Sequence, residues 1–474
     1  MASPGVPKQM LSREGPACSA PRRPRIVILG AGPTGLGAAW RLQELDCDSW
    51  ELFEAEPQPG GLSSSVTDRN GFMWDLGVHV IHSHYPYFDG VLDQALPGAW
   101  VEHIRESWIW LREQFVPYPL QHNIWRLAEE DQRACLAGLR EAGRSGRDKP
   151  PGDFAQWVLQ QFGRGLADIF LFPYNRKAWA CEPREMGVHW VAERVAPVDP
   201  AEVLQSARRR EDRVSWGPNA VFRFPRRGGT GVIWNALFER LAGPRRHLGR
   251  QAVCIRPTAR TVEFADGTTA AYDTLISTMP LDRLLAILAE RPELKEAAAP
   301  LRYSSLHVIG IGMAGQVPEA LKAKSWIYFP QPDVPFHRVT VFSNYAPQSV
   351  PQPGKQWSLL AEVSEPPGEP GDAAQVVRTT IDALRKVGAI PPGTEILDTF
   401  HQRLEHAYPT PLTGLDGVLQ RILPALESLG IFSRGRFGAW KYEVGNMDHS
   451  FMQGVEVVDR ILLGAQERTL KLHG

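Results

Sequence analysis

Apolar positions along this chain change period in a way that marks out its elements. The run Arg25 to Leu29 (RIVIL) is continuously apolar after Arg25, as a strand buried on both faces requires. After it, Leu36, Ala39, Trp40 and Leu42 recur at helical spacing, and Trp50 to Phe53 predicts a second strand ending on Glu54. From about Pro97 to Arg213 the pattern is mostly helical, interrupted by the polar stretch Arg140 to Asp153 and closed by the charge cluster ARRREDR. From Val221, FRFPRRGGTGVIWNALFERL predicts strand, glycine turn and helix, and QAVCIRP, TVEFADGTT and YDTLISTM predict strands. Leu306 to Met313, Ser325 to Phe329, Arg338 to Asn344 and Trp357 to Val363 predict β segments parted by proline-rich turns, expected to form a separate antiparallel sheet.

The first strand runs into GAGPTGLG, which gives the opening segment its chemistry. Gly30 suits a tight turn, Gly32 a close backbone approach to a pyrophosphate, and Gly35 the packing of helix on strand. Glu54 lies about 20 residues past the last glycine, where a carboxylate accepts from ribose hydroxyls. The helix that follows points its N-terminus at the phosphates. A nicotinamide dinucleotide would satisfy the same residues. Gly60 and Gly61, in PQPGGLSS right after Glu54, add a second close backbone approach and favour a flavin dinucleotide, FAD.

The expected architecture is therefore α/β: an FAD-binding Rossmann-like domain with an inserted α-helical domain and an antiparallel β-sheet domain. Its expected boundaries are 1–24 for a disordered arm, 25–96 for the first part of the FAD-binding domain and 97–213 for the helical insertion. The FAD-binding domain resumes at 221–300, the sheet domain occupies 301–420, and 421–474 closes the FAD-binding domain. At 474 residues the chain exceeds one ordinary core, which fits two or three domains.

Composition narrows the partners. A formal net charge of -1 gives no global attraction to nucleic acid or an anionic membrane, so any anion recognition must be local. No stretch of about 18 apolar residues is present to span a membrane, and the Pro-, Ser- and Arg-rich N-terminal arm has no apolar signal-peptide core. Five scattered cysteines without a CxxC pair suggest reduced thiols, a cytoplasmic location and no metal site. The tryptophans of the insertion (Trp100, Trp108, Trp110, Trp125, Trp157, Trp179 and Trp190) read first as core, with a stacking platform as the alternative.

Nine segments in order carry a further signal: GAGPTGLGAAWRL, GVHVIHSHYPYFD, VPYPLQHNI, PYNRKAWA, VAERVAP, FRFPRRGGTGVIW, FHRVTVFSNY, HAYPTP and RGRFGAWKYEVGNMDHSFMQGVEVVD. Together, from about Pro24 to Leu463, they resemble the flavin-dependent UDP-galactopyranose mutases, most closely the eukaryotic type. The resemblance implies an enzyme that interconverts UDP-galactopyranose and UDP-galactofuranose, with reduced FAD as nucleophile at the anomeric carbon and NADPH or NADH as reductant. By this resemblance Arg194 and Arg338 clamp the diphosphate, with hydroxyls from Tyr328, Tyr408 and Tyr442, while Tyr118, Gln121, Asn175 and Trp179 lie near the uridine. Arg436 and Asn446 sit between flavin and sugar, and His79 lies against the flavin ring. Gly229, Met447 and Ser450 complete the cofactor-binding set, and Arg105, placed before the first strand of the insertion, holds the reductant. The catalytic set implied is thus Arg194, Arg338, Arg436 and His79 around the flavin.

The chain departs from the eukaryotic pattern at Leu120, where an aromatic is usual, and at His82 on the flavin side. Met447 resembles the bacterial members. The oligomeric state is left open, a homo-oligomer included. Three other functions share the cofactor signals: a mutase for a different nucleotide sugar, a flavin amine oxidase or desaturase, which would want an apolar tunnel in place of a phosphate clamp, and a flavin-bound protein with a scaffolding role.

Overall fold

The computed structural model describes residues 23–144, 150–191, 195, 199–214, 220–368 and 370–471. The N-terminal arm up to residue 22 lies outside the described residues, and so does Arg194.

The apolar run Ile26–Leu29 forms the central strand of a five-stranded parallel sheet, flanked by Thr274–Ser277 and then Ile431–Ser433 on one side and by Trp50–Phe53 and then Arg246–His247 on the other. Alternation sends Ile26 and Ile28 into a core with the Pro33–Glu44 and Met447–Leu463 helices, while Val27 and Leu29 pack with the Leu281–Ile287 and Leu415–Ser428 helices on the opposite face. Helices on both faces explain why this strand has no polar positions.

Two glycines that the sequence does not single out bring the first and last long helices together. A Cβ on Gly37 would stand 2.3 Å from the Phe451 carbonyl oxygen, and one on Gly454 would stand 1.9 Å from that of Thr34. With backbones this close, the N-terminus of Pro33–Glu44, capped by Gly32 with Pro33 in the first turn, lies beside that of Met447–Leu463, capped by Asn446.

A second sheet has seven strands, in the order Ile396–Pro409, Tyr303–Ala314, Gln356–Glu365, Arg338–Thr340, Trp326–Tyr328, Ser107–Leu111 and Gln114–Pro117. Here two expectations need correction. The sheet is not wholly antiparallel, because Trp326–Tyr328 pairs in parallel with Ser107–Leu111. The segment from Pro97 is not helical at its start: Trp100–Ile104, Ser107–Leu111 and Gln114–Pro117 are strands, and the α-helices begin at Glu129. Their period of two is hidden because both faces of SWIWL are apolar, Ile109 and Leu111 entering one core and Trp108 and Trp110 packing against another. Arg112 and Glu113 turn the hairpin with φ of 53° and 60°, and neither is a residue that announces such a turn. Arg105 consequently follows the first strand of this segment and does not precede it.

The junction between the sheets rests on Gly310 and Gly312. A Cβ on either would stand 2.5 to 2.6 Å from the rings of Trp74 and Phe72 respectively, so those rings lie flat on the long Tyr303–Ala314 strand. The Met73–Asp75 strand is fixed in this way, and the loop that follows it carries His79.

Candidate active site

A cavity of about 880 Å³ opens where the two sheets and the helical segment meet. It is lined by twelve residues expected from the sequence: His79, Arg105, Tyr118, Asn175, Trp179, Tyr328, Arg338, Tyr408, Arg436, Tyr442, Asn446 and Met447. A volume of this size matches small-molecule and cofactor sites.

Sheet register builds its centre. Arg338 stands directly opposite Tyr328 on one neighbouring strand and Glu362 on the other, so the three side chains project from the same face in a row. Glu362 accepts from Arg338 Nε and, at 2.8 Å, from Nη2, which also reaches the Tyr408 hydroxyl at 3.4 Å. Burial alone would lower the Arg338 pKa, but the Glu362 carboxylate outweighs it and keeps the guanidinium above its ordinary range. Burial likewise opposes charge on Glu362, and Arg338 holds its pKa below the usual value. Both therefore stay ionised.

Aromatic rings surround this pair. Tyr328 lies 5.2 Å from both Tyr118 and Tyr174, and its hydroxyl accepts from Trp326 Nε1 at 2.8 Å. Trp179 meets Tyr442 edge-on at 4.6 Å and Tyr408 at 5.9 Å. Of the seven tryptophans of the insertion, Trp179 and Trp190 face the cavity. Trp179 Nε1 donates to Asn175 Oδ1 at 3.2 Å, and Asn175 Nδ2 donates to the Leu171 carbonyl at 2.8 Å, which fixes the orientation of both. Arg436 donates from Nε to the Gly445 carbonyl at 2.9 Å and lies over the Tyr408 ring. Arg105 donates to Ser107 Oγ at 3.1 Å with its guanidinium 4.8 Å above the Trp326 ring.

The fit to a flavin dinucleotide rests on the glycine loop and on His79. Gly30 takes φ +102°, and a Cβ on Gly35 would stand 1.8 Å from the Gly30 carbonyl oxygen. Gly32 has open space where its side chain would be, with the nearest atom, the Gly60 carbonyl oxygen, at 3.9 Å. Gly60 donates its N–H to the Ala31 carbonyl at 2.9 Å, so the second glycine pair braces the first loop. Glu54 accepts from the N–H of Ala31 at 2.6 Å and of Glu56 at 2.9 Å, which orients its carboxylate at the end of its strand. His79 Nδ1 is buried without a hydrogen-bond partner among the described residues. Burial and then Arg436 pull the His79 pKa down to about 3, so the ring is neutral and turned toward the cavity as a donor or acceptor. A polar atom orphaned in this way needs a partner, and a bound ring system carrying nitrogen and oxygen atoms supplies one.

Other expected residues lie elsewhere. Gln121 is buried in the short Leu120–His122 turn, and its neighbour His122 lines the cavity instead. Gly229 packs on Asp75, whose Oδ1 a Cβ there would meet at 2.1 Å, and so shapes the turn before Gly231–Arg240. Ser450 sits in the first turn of Met447–Leu463, where its N–H donates to the Asn446 carbonyl at 2.8 Å. His82 lines the cavity and donates from Nδ1 to the Val221 carbonyl, 3.1 Å away. Glu362, Tyr174 and His337 also face the cavity, although the sequence did not point to them. Tyr174 and His337 lie inside the segments PYNRKAWA and FHRVTVFSNY, whereas Glu362 is one of two acids, with Glu365, in the Gln356–Glu365 strand and carries no local signal.

Comparison with known proteins fits this geometry. The flavin containing amine oxidoreductase family matches residues 33–462. A solved structure of reduced UDP-galactopyranose mutase is 47% identical, covers 94% of this chain and 96% of its own, and superposes with a TM-score of 0.92. The chain belongs to the flavin-containing amine oxidoreductases and, within them, to the UDP-galactopyranose mutases. More distant solved structures share the fold alone: a putative protoporphyrinogen oxidase from Exiguobacterium sp. at 17% identity, with 93% of this chain and 99% of that one covered and a TM-score of 0.69, and a fatty acid isomerase from P. acnes at 13%, with 93% and 99% covered and a TM-score of 0.63.

Proposed function

We propose that this protein interconverts UDP-galactopyranose and UDP-galactofuranose. The observation that carries the reading is the charged Arg338, held in register between Tyr328 and Glu362 and facing the same cavity as His79 and the Asn446 end of the last long helix. Breaking the bond from the anomeric carbon to the nucleotide releases a diphosphate, which needs fixed positive donors in a partly dry site. Arg338 and Arg436 supply guanidinium groups, and Tyr328, Tyr408 and Tyr442 add hydroxyl donors. Tyr118, Asn175 and Trp179, on the insertion side, offer a flat aromatic wall and an amide for the base. Reduced FAD, when bound, supplies a nucleophile for the anomeric carbon. Gly30, Gly32, Gly35, Gly60, Gly61 and Glu54 would hold its dinucleotide portion, and Asn446, Met447 and His79 its ring end. We assign Arg105 to the nicotinamide reductant, NADPH or NADH, supported by its stacking on Trp326 in the lining of the same cavity.

The amine oxidase alternative asks for an apolar tunnel, and four arginines in the cavity lining, Arg105, Arg213, Arg338 and Arg436, weigh against it. We further propose a cytoplasmic protein, supported by four unpaired thiols among the described residues, Cys47, Cys135, Cys181 and Cys254. Among those residues no helix is long and apolar enough to cross a membrane. The deciding experiment incubates dithionite-reduced enzyme with a panel of nucleotide sugars and separates pyranose from furanose products. Turnover of UDP-galactofuranose is the expected result. Oxygen consumption with an amine, and no turnover of any nucleotide sugar, would overturn the reading.

A further inference from the structure

We propose that Lys177 is a positioning residue for this site: its ammonium ties the turn between the Trp326–Tyr328 and Arg338–Thr340 strands to the Phe172–Trp179 helix. Tyr328 and Arg338, which flank the turn, are thereby set relative to Asn175 and Trp179 on the helix. The inference rests on the reading of Tyr328 and Arg338 as the diphosphate clamp.

Lys177 Nζ donates to the carbonyls of Phe329 at 2.9 Å, Gln331 at 2.9 Å and Phe336 at 2.7 Å. An ammonium has three donors, and all three end on one turn. The sequence of that turn explains why. FPQPDVPF contains Pro330, Pro332 and Pro335, none of which has an N–H, so the turn is short of backbone donors for its own carbonyls. A buried carbonyl without a donor is costly, and Lys177 supplies three. Burial pulls the lysine pKa down to about 7 against the Asp333 carboxylate on the same turn, and three carbonyl oxygens within 3 Å also favour the charged form. A solvated surface lysine would keep its ammonium in water. The helix is also tied one residue on, where Ser364 Oγ donates to the Ala178 carbonyl at 2.9 Å. The base end and the phosphate end of the proposed substrate site thus meet through one side chain that touches neither.

The test uses full-length, FAD-loaded Lys177→Met, Tyr328→Phe and the double variant, with UDP as the titrant in calorimetry and hydrogen exchange followed in the peptide spanning residues 326–340. Lys177→Met is expected to weaken UDP binding about tenfold or more, the scale of one charge-assisted hydrogen bond lost at the phosphate. FAD content should be unchanged and exchange in the turn faster. If Lys177 acts through Tyr328 and Arg338, the double variant loses less than the product of the single losses. A purely structural lysine would lower the unfolding midpoint and leave UDP affinity of the folded protein intact, and that result would overturn the proposal, as would strictly multiplicative losses. Should Lys177→Met fail to fold, Lys177→Gln, which keeps two donors, takes its place under the same criteria. Failure of the wild-type protein to bind UDP would instead overturn the assignment of the clamp.

Discussion

Replacing Arg338 tests the clamp, but the structure shows that the simple alanine variant combines two effects. Arg338 is mostly buried, and its partner Glu362 retains 1% of its side-chain exposure. Removing one member of a buried pair leaves the other charge uncompensated and costs about 3 to 5 kcal/mol of stability. Loss of a hydrogen bond to a charged diphosphate costs about 1.5 to 3 kcal/mol, equivalent to roughly 10-fold to 150-fold in kcat/KM. Arg338→Ala should therefore show both a lowered denaturation midpoint and lowered kcat/KM. Arg338→Ala combined with Glu362→Gln separates them, because the second change removes the stranded charge without restoring the guanidinium. The double variant is expected to recover most of the midpoint and none of the kinetics, with FAD content near wild type in both. The assay is urea unfolding followed by flavin and protein fluorescence, paired with turnover of UDP-galactofuranose by dithionite-reduced enzyme. A double variant with wild-type kcat/KM would refute the reasoning, since Arg338 would then serve only to neutralise Glu362.

The remaining predictions follow from neighbouring features. Purified protein should be yellow from noncovalent FAD, and Gly32→Val should lose the colour while keeping its fold, because the nearest atom to a Cβ there is 3.9 Å away; a folded, fully loaded variant would place the phosphate site elsewhere. Oxidised enzyme should be inactive, and one reduction should support many turnovers, with Arg105→Ala slowing activation by NADPH while sparing dithionite-driven turnover; one reductant consumed per product would contradict this. The Asp75 carboxyl is raised by burial from 3.8 to about 7, so between about pH 4 and pH 7 the unfolded chain loses this proton while the folded chain keeps it, and stability falls as pH rises through that window. Roughly three units at 1.36 kcal/mol each set an upper limit of about 4 kcal/mol. Asp75→Asn should flatten this part of the stability profile, and an unchanged slope in urea titrations at pH 4.5 and 7.5 would remove Asp75 as its source.

The dinucleotide loop was legible in the sequence because backbone geometry there dictates residue type. Gly30 and Gly35 stand where φ is positive or a Cβ would collide, and the following helix and Glu54 were in register. Most of the substrate-side residues were legible only through the resemblance of whole motifs. Tyr118, Trp179, Arg338, Tyr408 and Tyr442 come from segments with different periods, and nothing local marks them as facing one cavity. What the sequence hid is of two kinds. The strands from Trp100 to Pro117 lie between cores on both faces, so alternation is masked by apolar residues on each. Glu362, Gly37 and Gly454 owe their roles to partners far along the chain, respectively Arg338, Phe451 and Thr34.

Glu362 illustrates why such residues matter more than their local sequence suggests. Besides pairing with Arg338, its Oε1 lies 3.4 Å from the Val78 N–H, one residue before His79. Gly77 takes φ +121°, so a larger residue would strain the turn, and a Cβ there would stand 3.3 Å from the His79 ring and in ordinary contact with the same oxygen at 3.7 Å. The loop that presents His79 to the ring end of the cofactor site and the arginine assigned to the diphosphate therefore share one carboxylate. The positions of the two are linked without a direct contact between them. In the proposed reaction the two ends must be held in register while the bond between sugar and nucleotide is broken and remade, and a shared buried anion on the stiff Gln356–Glu365 strand meets that requirement with one side chain.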